Sequence, residues 1–316
     1  MRKNINKEKI EGRLFSHSLE LKTVKDQNSA NFGKEYIAGK VEIAVDEEGL
    51  NVVPVHYTYV TEMTSKGTKN KTFEILKKII TDGKDWASKG KDEAMLVKAE
   101  PALALTEFYK DEDTLVSVKE NEGGFISFVS KIEPNEAARS IFETDMLITG
   151  VTIIEPDEEK HIDEKYAELH GAIFNFKNEL LPVSFVVRDE AGINYFDGLG
   201  ISNSEPVYTK VWGRINCLTK TETITEKSAF GAAAVKTVKK TSKEWLVEGT
   251  LEQAYDFGDE KVMTVDEVNA ATQNRQVHLA ELKKRRDEYE ESKKSGSPTG
   301  AVPSAAAAVK TGGFNF

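Results

Sequence analysis

The sequence has almost no cysteine and no long apolar run. Cys217 is the only cysteine among 316 residues, which excludes an internal disulfide framework and any zinc site built from several cysteines. No segment approaches the roughly 20 apolar residues that a membrane-spanning helix needs. The first fifteen residues, MRKNINKEKIEGRLF, are charged and lack the apolar centre of a signal peptide. These absences predict a cytoplasmic protein with no membrane partner.

Catalytic motifs are also missing. None of the five histidines has a metal-ligand spacing such as HExxH, and no phosphate-binding glycine loop occurs. The acidic run Glu155–Lys165 has the residue types of a metal nuclease, but in one stretch instead of on two converging strands. We therefore predict no catalytic residues, no metal and no cofactor, and expect that the protein is not an enzyme. A nucleic-acid processing enzyme is the less favoured alternative.

Charge is unevenly distributed along the chain. The net charge is −10, yet residues 64–91 hold eight lysines against three acidic residues, and residues 219–243 hold six lysines against two glutamates. A uniformly acidic protein repels nucleic acid. Two basic segments in an acidic chain leave a nucleic-acid partner open.

One hairpin pattern occurs twice, in EYIAGKVEIAVDEEGLNVVPVHYTYV (residues 35–60) and in ELHGAIFNFKNELLPVSFVV (residues 168–187). Each copy has a glycine within its first strand (Gly39 or Gly171), a polar turn, and a Pro-Val pair that opens an alternating strand. A further strand pattern precedes each copy, and two more follow after a variable insert. Five strands with an insert after the third are the strand count and order of an OB-fold, a small Greek-key barrel.

We therefore predict a mainly β fold with two tandem OB-fold-like five-stranded barrels, over residues 10–135 and 140–256. The first insert, KTFEILKKIITDGKDW, has helical spacing and is predicted to end at Gly83. The second insert, DEAGINYFDGLGISNSE, is rich in Gly and Asn and is predicted to be a loop. A capping box of Thr264 and Glu267 opens a helix predicted over residues 264–294. Residues 295–316 are predicted to be a disordered tail.

The second barrel has the better binding chemistry. Single-stranded nucleic acid is held by cations that follow the phosphates and by exposed aromatic rings on which bases stack. An OB-fold places such groups on its second and third strands and on the loops joining strands one to two and four to five. Residues 219–240 join the predicted strands four and five, and we expect a long, flexible, basic loop there. The candidate nucleic-acid-binding residues are Lys227, Phe230, Lys236, Lys239, Lys240, Lys243, Phe174, Phe176 and Phe185.

Two of these candidates leave an alternative open. Phe174 and Phe176 are two residues apart in a predicted strand, so we expect both to lie in the core or both to be exposed. Alternation along the strand does not distinguish the two cases. Cys217 is predicted to be a buried thiol.

The two-barrel layout, the basic loop and the tail that ends in Phe314 and Phe316 resemble phage-encoded single-stranded DNA-binding proteins and related replication or recombination factors. The resemblance implies sequence-non-specific binding of single-stranded DNA in the host cytoplasm, and docking of replication or recombination proteins through Phe314 and Phe316. In that class, acidic residues precede the final phenylalanine, whereas VKTGGFNF has none. The alternative is a structural or assembly β-module of a virion, because β-rich repeats with acidic surfaces are common there.

Overall fold

A computed structural model describes residues 4–160, 162–226, 234–257 and 262–294, with the backbone alone at 220–226, 234–240 and 294. The predicted tail, residues 295–316, lies outside these ranges. The strands of the described part are β1 (Asn6–His17), β2 (Glu20–Thr23), β3 (Glu35–Ala44), β4 (Val52–Thr61), β5 (Leu96–Tyr109), β6 (Leu115–Phe128), β7 (Ser140–Ile154), β8 (Tyr166–Phe174), β9 (Leu180–Val187), β10 (Val207–Glu226) and β11 (Ala234–Thr250). The helices are α1 (Lys71–Asp82), α2 (Trp86–Lys89), α3 (Glu190–Gly198) and α4 (Val265–Lys294), with short 3-10 turns at Lys91–Glu93 and Glu136–Ala138.

The first five long strands close into one barrel, which we name barrel 1. Strand β1 pairs antiparallel with β3 and β5, β3 with β4, and β5 with β6. A parallel contact between β4 and β6 closes the ring. This is the strand order of an OB-fold, with β2 added as a short strand at the edge of β3.

The same ring is built a second time by β7 to β11, which we name barrel 2. Strand β7 pairs antiparallel with β8 and β10, β8 with β9, and β10 with β11, and a parallel contact between β9 and β11 closes the ring. The predicted mainly β fold with two OB-fold-like five-stranded barrels is thereby confirmed. The exact residue limits proposed for the two domains stay a prediction.

The repeated glycine has the same physical cause in both barrels. Gly39 and Gly171 each lie on the second strand of their barrel, where that strand passes close over the first. A Cβ atom at Gly39 would lie 2.3 Å from the carbonyl oxygen of Ser18, and one at Gly171 would lie 2.1 Å from that of Leu147. No side chain fits at such distances, which explains why the pattern recurs about 130 residues apart.

Both inserts form helices, so the prediction of a loop in the second insert was wrong. Helix α1 forms as predicted, with the Asn70 side chain accepting a hydrogen bond at its start. Asp189 is the N-cap of helix α3, and its side chain accepts a hydrogen bond from the backbone of Gly192. Ile193 and Phe196 of α3 are buried. Their spacing of three residues after an N-capping aspartate was the helical signal, which the surrounding Gly and Asn residues obscured.

The two barrels are joined through their first strands. Strand β1 pairs antiparallel with β7 from Asn6 opposite Thr144 to Ile10 opposite Ser140. Because β1 and β7 hold equivalent positions in their barrels, this pairing gives the barrels an approximate two-fold arrangement. One hydrophobic core runs through both of them.

Polar side chains cross the junction between the barrels. The indole nitrogen of Trp245, on β11, donates a hydrogen bond of 3.0 Å to Glu8 on β1. Complete burial raises the pKa of the Glu8 carboxyl to about 8, an effect that the Trp245 bond reduces. Lys119, on β6, donates to the carbonyl oxygen of Ser184 at 2.6 Å and lies 4.8 Å from the centroid of the Trp245 ring. The junction therefore contains buried hydrogen bonds as well as apolar contacts.

Helix α4 contacts both barrels. Its start is fixed by the predicted capping box, in which the backbone of Glu267 donates to Thr264 Oγ1 at 3.2 Å. Ala271 packs into a small apolar cluster with the Phe174 side chain of barrel 2. Further along, Arg275 makes two hydrogen bonds to the largely buried carboxylate of Glu107 on β5 of barrel 1.

Candidate nucleic-acid interface

The basic segment of barrel 2, residues 219–243, forms a paired β-ribbon over its described parts, 219–226 and 234–243; we call this segment the ribbon. Strands β10 and β11 continue well beyond the barrel, and their pairing holds from Thr219 opposite Thr241 to Glu226 opposite Ala234. The prediction of a flexible loop over residues 219–240 was therefore wrong, except at 227–233, which lie outside the described residues. Thr occupies every second position from 219 to 225, and Val and Thr recur on β11; these β-branched residues favour an extended strand. Their polar neighbours had suggested a loop.

The predicted lysines within the described residues all lie on β11, one strand of this ribbon. Lys236, Lys239 and Lys240 lie in β11, with backbone positions opposite Ile224, Thr221 and Lys220. Lys243, at the base of the ribbon, has an exposed side chain and lies opposite Cys217. From position 236 to position 243 a strand extends about 23 Å. Lys227 and Phe230 lie outside the described residues, so their role stays a prediction.

The base of the ribbon is braced by barrel 1. The backbone of Thr219 donates to the carbonyl oxygen of Leu50 at 2.9 Å, and the backbone of Cys217 donates to Asn51 Oδ1 at 2.8 Å. Leu50 and Asn51 lie just before β4, in the turn from β3. The ribbon therefore leaves barrel 2 in a direction that barrel 1 helps to set.

Where the ribbon meets barrel 1, a small mixed cluster of charges forms. Burial lowers the pKa of His56, and the positive charges of Lys243 and Lys40 act in the same direction, while Glu120, 3.7 Å away, opposes them. Burial also raises the pKa of the Cys217 thiol. At neutral pH, His56 therefore adds little positive charge, and Cys217 is the buried thiol that the sequence predicted.

The outer face of barrel 1 is dominated by carboxylates. Glu42 lies on β3, and Glu120 and Glu122 lie on β6, next to His56 and Thr58 of β4. Burial and the neighbouring Glu120 raise the pKa of Glu122, although the Thr58 hydroxyl bonds it at 2.8 Å and acts in the opposite direction. The carboxylates on the second and fifth strands of barrel 1 disfavour phosphate there. The two barrels are thus unequal in their binding chemistry.

Two of the three predicted strand aromatics belong to the core. Phe174 and Phe185 are both fully buried. Phe174 lies edge-on to Tyr208, with centroids 6.2 Å apart, and Phe185 packs against Phe142 at 5.2 Å. Neither ring is accessible to a nucleobase, so both are removed from the candidate interface.

Phe176, in contrast, is 64% exposed. The expectation that it shares the environment of Phe174 was wrong, because β8 ends at Phe174 and the chain then turns. Asn175 anchors this turn, accepting backbone hydrogen bonds from Lys177 and Glu179, and Asn178 adopts a positive φ of 59°. The ammonium of Lys177 lies 5.6 Å from the centroid of the Phe176 ring. The turn between β8 and β9 therefore presents an aromatic ring beside a cation.

Sequence reasoning overlooked the outer row of β10. Lys210, Trp212 and Arg214 alternate there with the buried Val211 and Ile215. Trp212 is 38% exposed. The period-two alternation was the signal that could have identified this row.

The described residues contain no group of three His, Cys, Asp or Glu side chains placed to hold a metal ion. In the acidic run before β8, Asp157 pairs with Lys160 at 2.8 Å and Glu155 with Lys165 at 2.8 Å. In the same ranges, no helix has the length and apolar character needed to cross a membrane. Phe314 and Phe316 lie outside the described residues, and docking through them stays a prediction.

Comparison with known proteins identifies the family. The model of the YorF family matches residues 4–285, so the chain belongs to that family. No curated protein matches the sequence. Among solved structures, the chain is similar to a deletion mutant of the single-stranded DNA-binding protein from Thermus aquaticus, with a TM-score of 0.45 and 12% identity over 82% of this chain and 98% of that one. The OB-fold assignment made above rests on the strand pairing of this chain itself.

Proposed function

We propose that this member of the YorF family binds single-stranded DNA without reading its sequence, and that the β-ribbon makes the main contact. The observation that carries the proposal is the position of the charge. Six lysines against two glutamates fall within residues 219–243 of a chain with a net charge of −10. Those residues join the fourth and fifth strands of an OB-fold-like barrel, a region with which OB-folds bind oligonucleotides.

The acidic remainder of the chain supports a localised contact. Phosphates are repelled by the carboxylates on the outer face of barrel 1 and attracted to the lysines of the ribbon. The electrostatic field of the protein therefore directs a DNA strand to the side that carries the ribbon. Each phosphate that a lysine neutralises releases counterions, which makes the affinity depend on salt.

Exposed aromatic groups favour a single strand over a duplex. Phe176 is exposed beside Lys177, and the sequence between β10 and β11 contains Phe230. Stacking on such rings requires bases whose faces are free, and every base has such a face. Binding of this kind needs no fixed sequence.

We further propose that the protein supports phage DNA replication or recombination in the host cytoplasm and that it is not an enzyme. It includes docking of replication or recombination proteins through Phe314 and Phe316. These points rest on the sequence resemblance and are part of the proposal.

The test is a titration of labelled oligothymidine, and of a duplex of equal length, at several salt concentrations. The proposal expects tighter binding of the single strand. Changing Lys236, Lys239, Lys240 and Lys243 to Ala should weaken binding and flatten the plot of log affinity against log salt by about 0.7 per lost contact.

The matched control removes the same charge from the other basic segment, by changing Lys66, Lys69, Lys71 and Lys89 to Ala. All four are exposed in barrel 1. The control should leave the salt slope nearly unchanged. Equal slopes for the ribbon variant and the wild type, or equal affinity for duplex and single strand, would contradict the proposal.

A further inference from the structure

We propose that the indole of Trp212 is a second contact for the bound strand, on which a nucleobase stacks. The inference rests on the proposed function, because it concerns the same single-stranded ligand. It assigns a binding residue on the fourth strand of barrel 2, outside the second and third strands on which the sequence had placed the aromatic contacts.

The outer row of β10 has the composition of a nucleic-acid contact. Its side chains are a cation, an aromatic ring, a second cation and an amide, from Lys210, Trp212, Arg214 and Asn216. The alternate residues Val211, Gly213, Ile215 and Cys217 face the core. From Lys210 to Asn216, β10 contributes no carboxylate to this outer row, and its glutamates, Glu222 and Glu226, follow only in the ribbon sequence.

The indole of Trp212 is exposed and held in place. Of the three tryptophans, Trp245 is 2% exposed and Trp86 is half-buried, whereas Trp212 is 38% exposed. One side of the indole lies against the backbone of Gly249 on β11, where a Cβ atom would lie 2.5 Å from the indole nitrogen. The missing side chain at Gly249 thus seats the ring. A ring that is already ordered loses little entropy when a base stacks on it.

Two cations flank the ring. The Lys210 ammonium lies 5.8 Å from the centroid of Trp212 and 3.0 Å from Glu143. Arg214 Nε lies 2.6 Å from Glu248. Ion pairs at an exposed surface contribute little, so either cation can exchange its carboxylate for a phosphate at small cost.

A shallow depression lies beside the indole. Gly249, which seats Trp212, also lines this depression, together with the apolar or aromatic Val187, Val247 and Tyr195 and the acidic Asp189 and Glu248. Tyr195 is itself 38% exposed. The edge of a base stacked on Trp212 would meet an apolar floor and a second aromatic ring.

Trp212 and the ribbon belong to the same strand. Lys220 follows Trp212 by eight residues, which is about 26 Å along β10. OB-folds cover about 4 to 16 nucleotides, so one strand of DNA can reach both places.

The test uses the intrinsic tryptophan fluorescence of the full chain during a titration with oligothymidine. We expect the wild type to be quenched, and Trp212→Phe to lose most of the quenching. Trp212→Ala should weaken binding by about 5- to 150-fold, the fold-change that the loss of one base–aromatic stack produces. The control, Trp86→Phe on α2 of barrel 1, should keep both quenching and affinity.

A variant that removes a carboxylate tests the same site through an expected gain in affinity. Glu248→Gln removes the carboxylate beside Arg214 and should strengthen binding. The control Glu93→Gln removes a carboxylate paired with Lys84 on barrel 1 at 3.2 Å, and should change the affinity less.

The two proposals fail in different ways. If the wild type binds oligothymidine while Trp212→Ala binds equally well and Trp212→Phe is still quenched, the Trp212 contact is wrong and the proposed function stands. If the wild type binds no single strand, both are wrong. Quenching that is lost in Trp212→Phe and kept in Trp86→Phe supports the contact, even if Trp212→Ala does not fold.

Discussion

The buried carboxyl of Glu8 should make the stability of the protein depend on pH, and Glu8→Gln tests this. Glu8 lies in the junction between the barrels, where Trp245 donates to one carboxyl oxygen and the other has no hydrogen-bond partner among the described residues. Burial raises its pKa from 4.5 to about 8. The group is therefore neutral in the folded protein at pH 7.

The sign and size of the effect follow from proton linkage. Below about pH 4.5 both the folded and the unfolded protein hold the Glu8 proton, and there is no penalty. Between about pH 4.5 and pH 8 only the folded state keeps it, so the free energy of unfolding falls by about 1.4 kcal/mol per pH unit. Above about pH 8 the loss is complete, at about 5 kcal/mol.

Gln cannot ionise, so the Glu8→Gln variant lacks this contribution. Its carbonyl oxygen can still accept the Trp245 hydrogen bond, while its amide group lacks a partner, which costs about 1–3 kcal/mol at every pH. The stability of the variant relative to wild type should therefore rise by about 3 kcal/mol between about pH 5.5 and about pH 7.5.

The measurement is urea denaturation of both proteins at several pH values, without DNA. Glu112→Gln, on the exposed turn between β5 and β6, is the control, and its stability relative to wild type should not change with pH. Parallel stability curves for Glu8→Gln and wild type would refute the argument, because they would mean that Glu8 ionises equally readily in the folded and unfolded protein.

Three other predictions concern the repeated glycine, the two residues Phe174 and Phe176, and the C-terminal tail. Gly171→Ala should destabilise the fold by about 2 kcal/mol or more. Gly150→Ala should be tolerated, because a Cβ atom added at Gly150 would meet nothing within 4 Å. Similar melting temperatures for the two variants would contradict this prediction. Phe174→Ala should cost about 3–5 kcal/mol in chemical denaturation and Phe176→Ala much less, so equal losses would show that both rings are packed. Deletion of residues 312–316 should abolish capture of a replication or recombination protein in a pull-down without changing the melting temperature, and a lowered melting temperature would place the tip in the core.

Local sequence patterns predicted the order of the elements. The strand patterns, the first insert helix and the capping box of α4 all depend on residues a few positions apart, and the repeated glycine could be recognised because the hairpin pattern occurs twice. Helix α3 was missed because its Gly and Asn residues outweighed a short apolar spacing. The ribbon was taken for a loop because charged residues are interspersed among its β-branched residues, so that no apolar face indicated a strand.

The role of each aromatic residue could not be predicted in the same way. Alternation says that two residues share a face, but it does not say which face is covered or where the strand ends. Phe174 is covered because Tyr208 and the start of α4 pack over it. Phe176 stays exposed because β8 ends at Phe174 and Phe176 lies in the turn that follows.

The sequence by itself determined that this chain forms two similar β-barrels, because strand periodicity is a local property and the hairpin pattern around Gly39 and Gly171 occurs twice. Only the tertiary structure decided which surfaces remain available. The pairing of β1 with β7 buries Glu8 beneath Trp245, the ribbon is braced against Leu50 and Asn51, and Trp212 is seated on Gly249. These contacts join residues that are far apart in the chain, and burial and charge at each site depend on those distant partners.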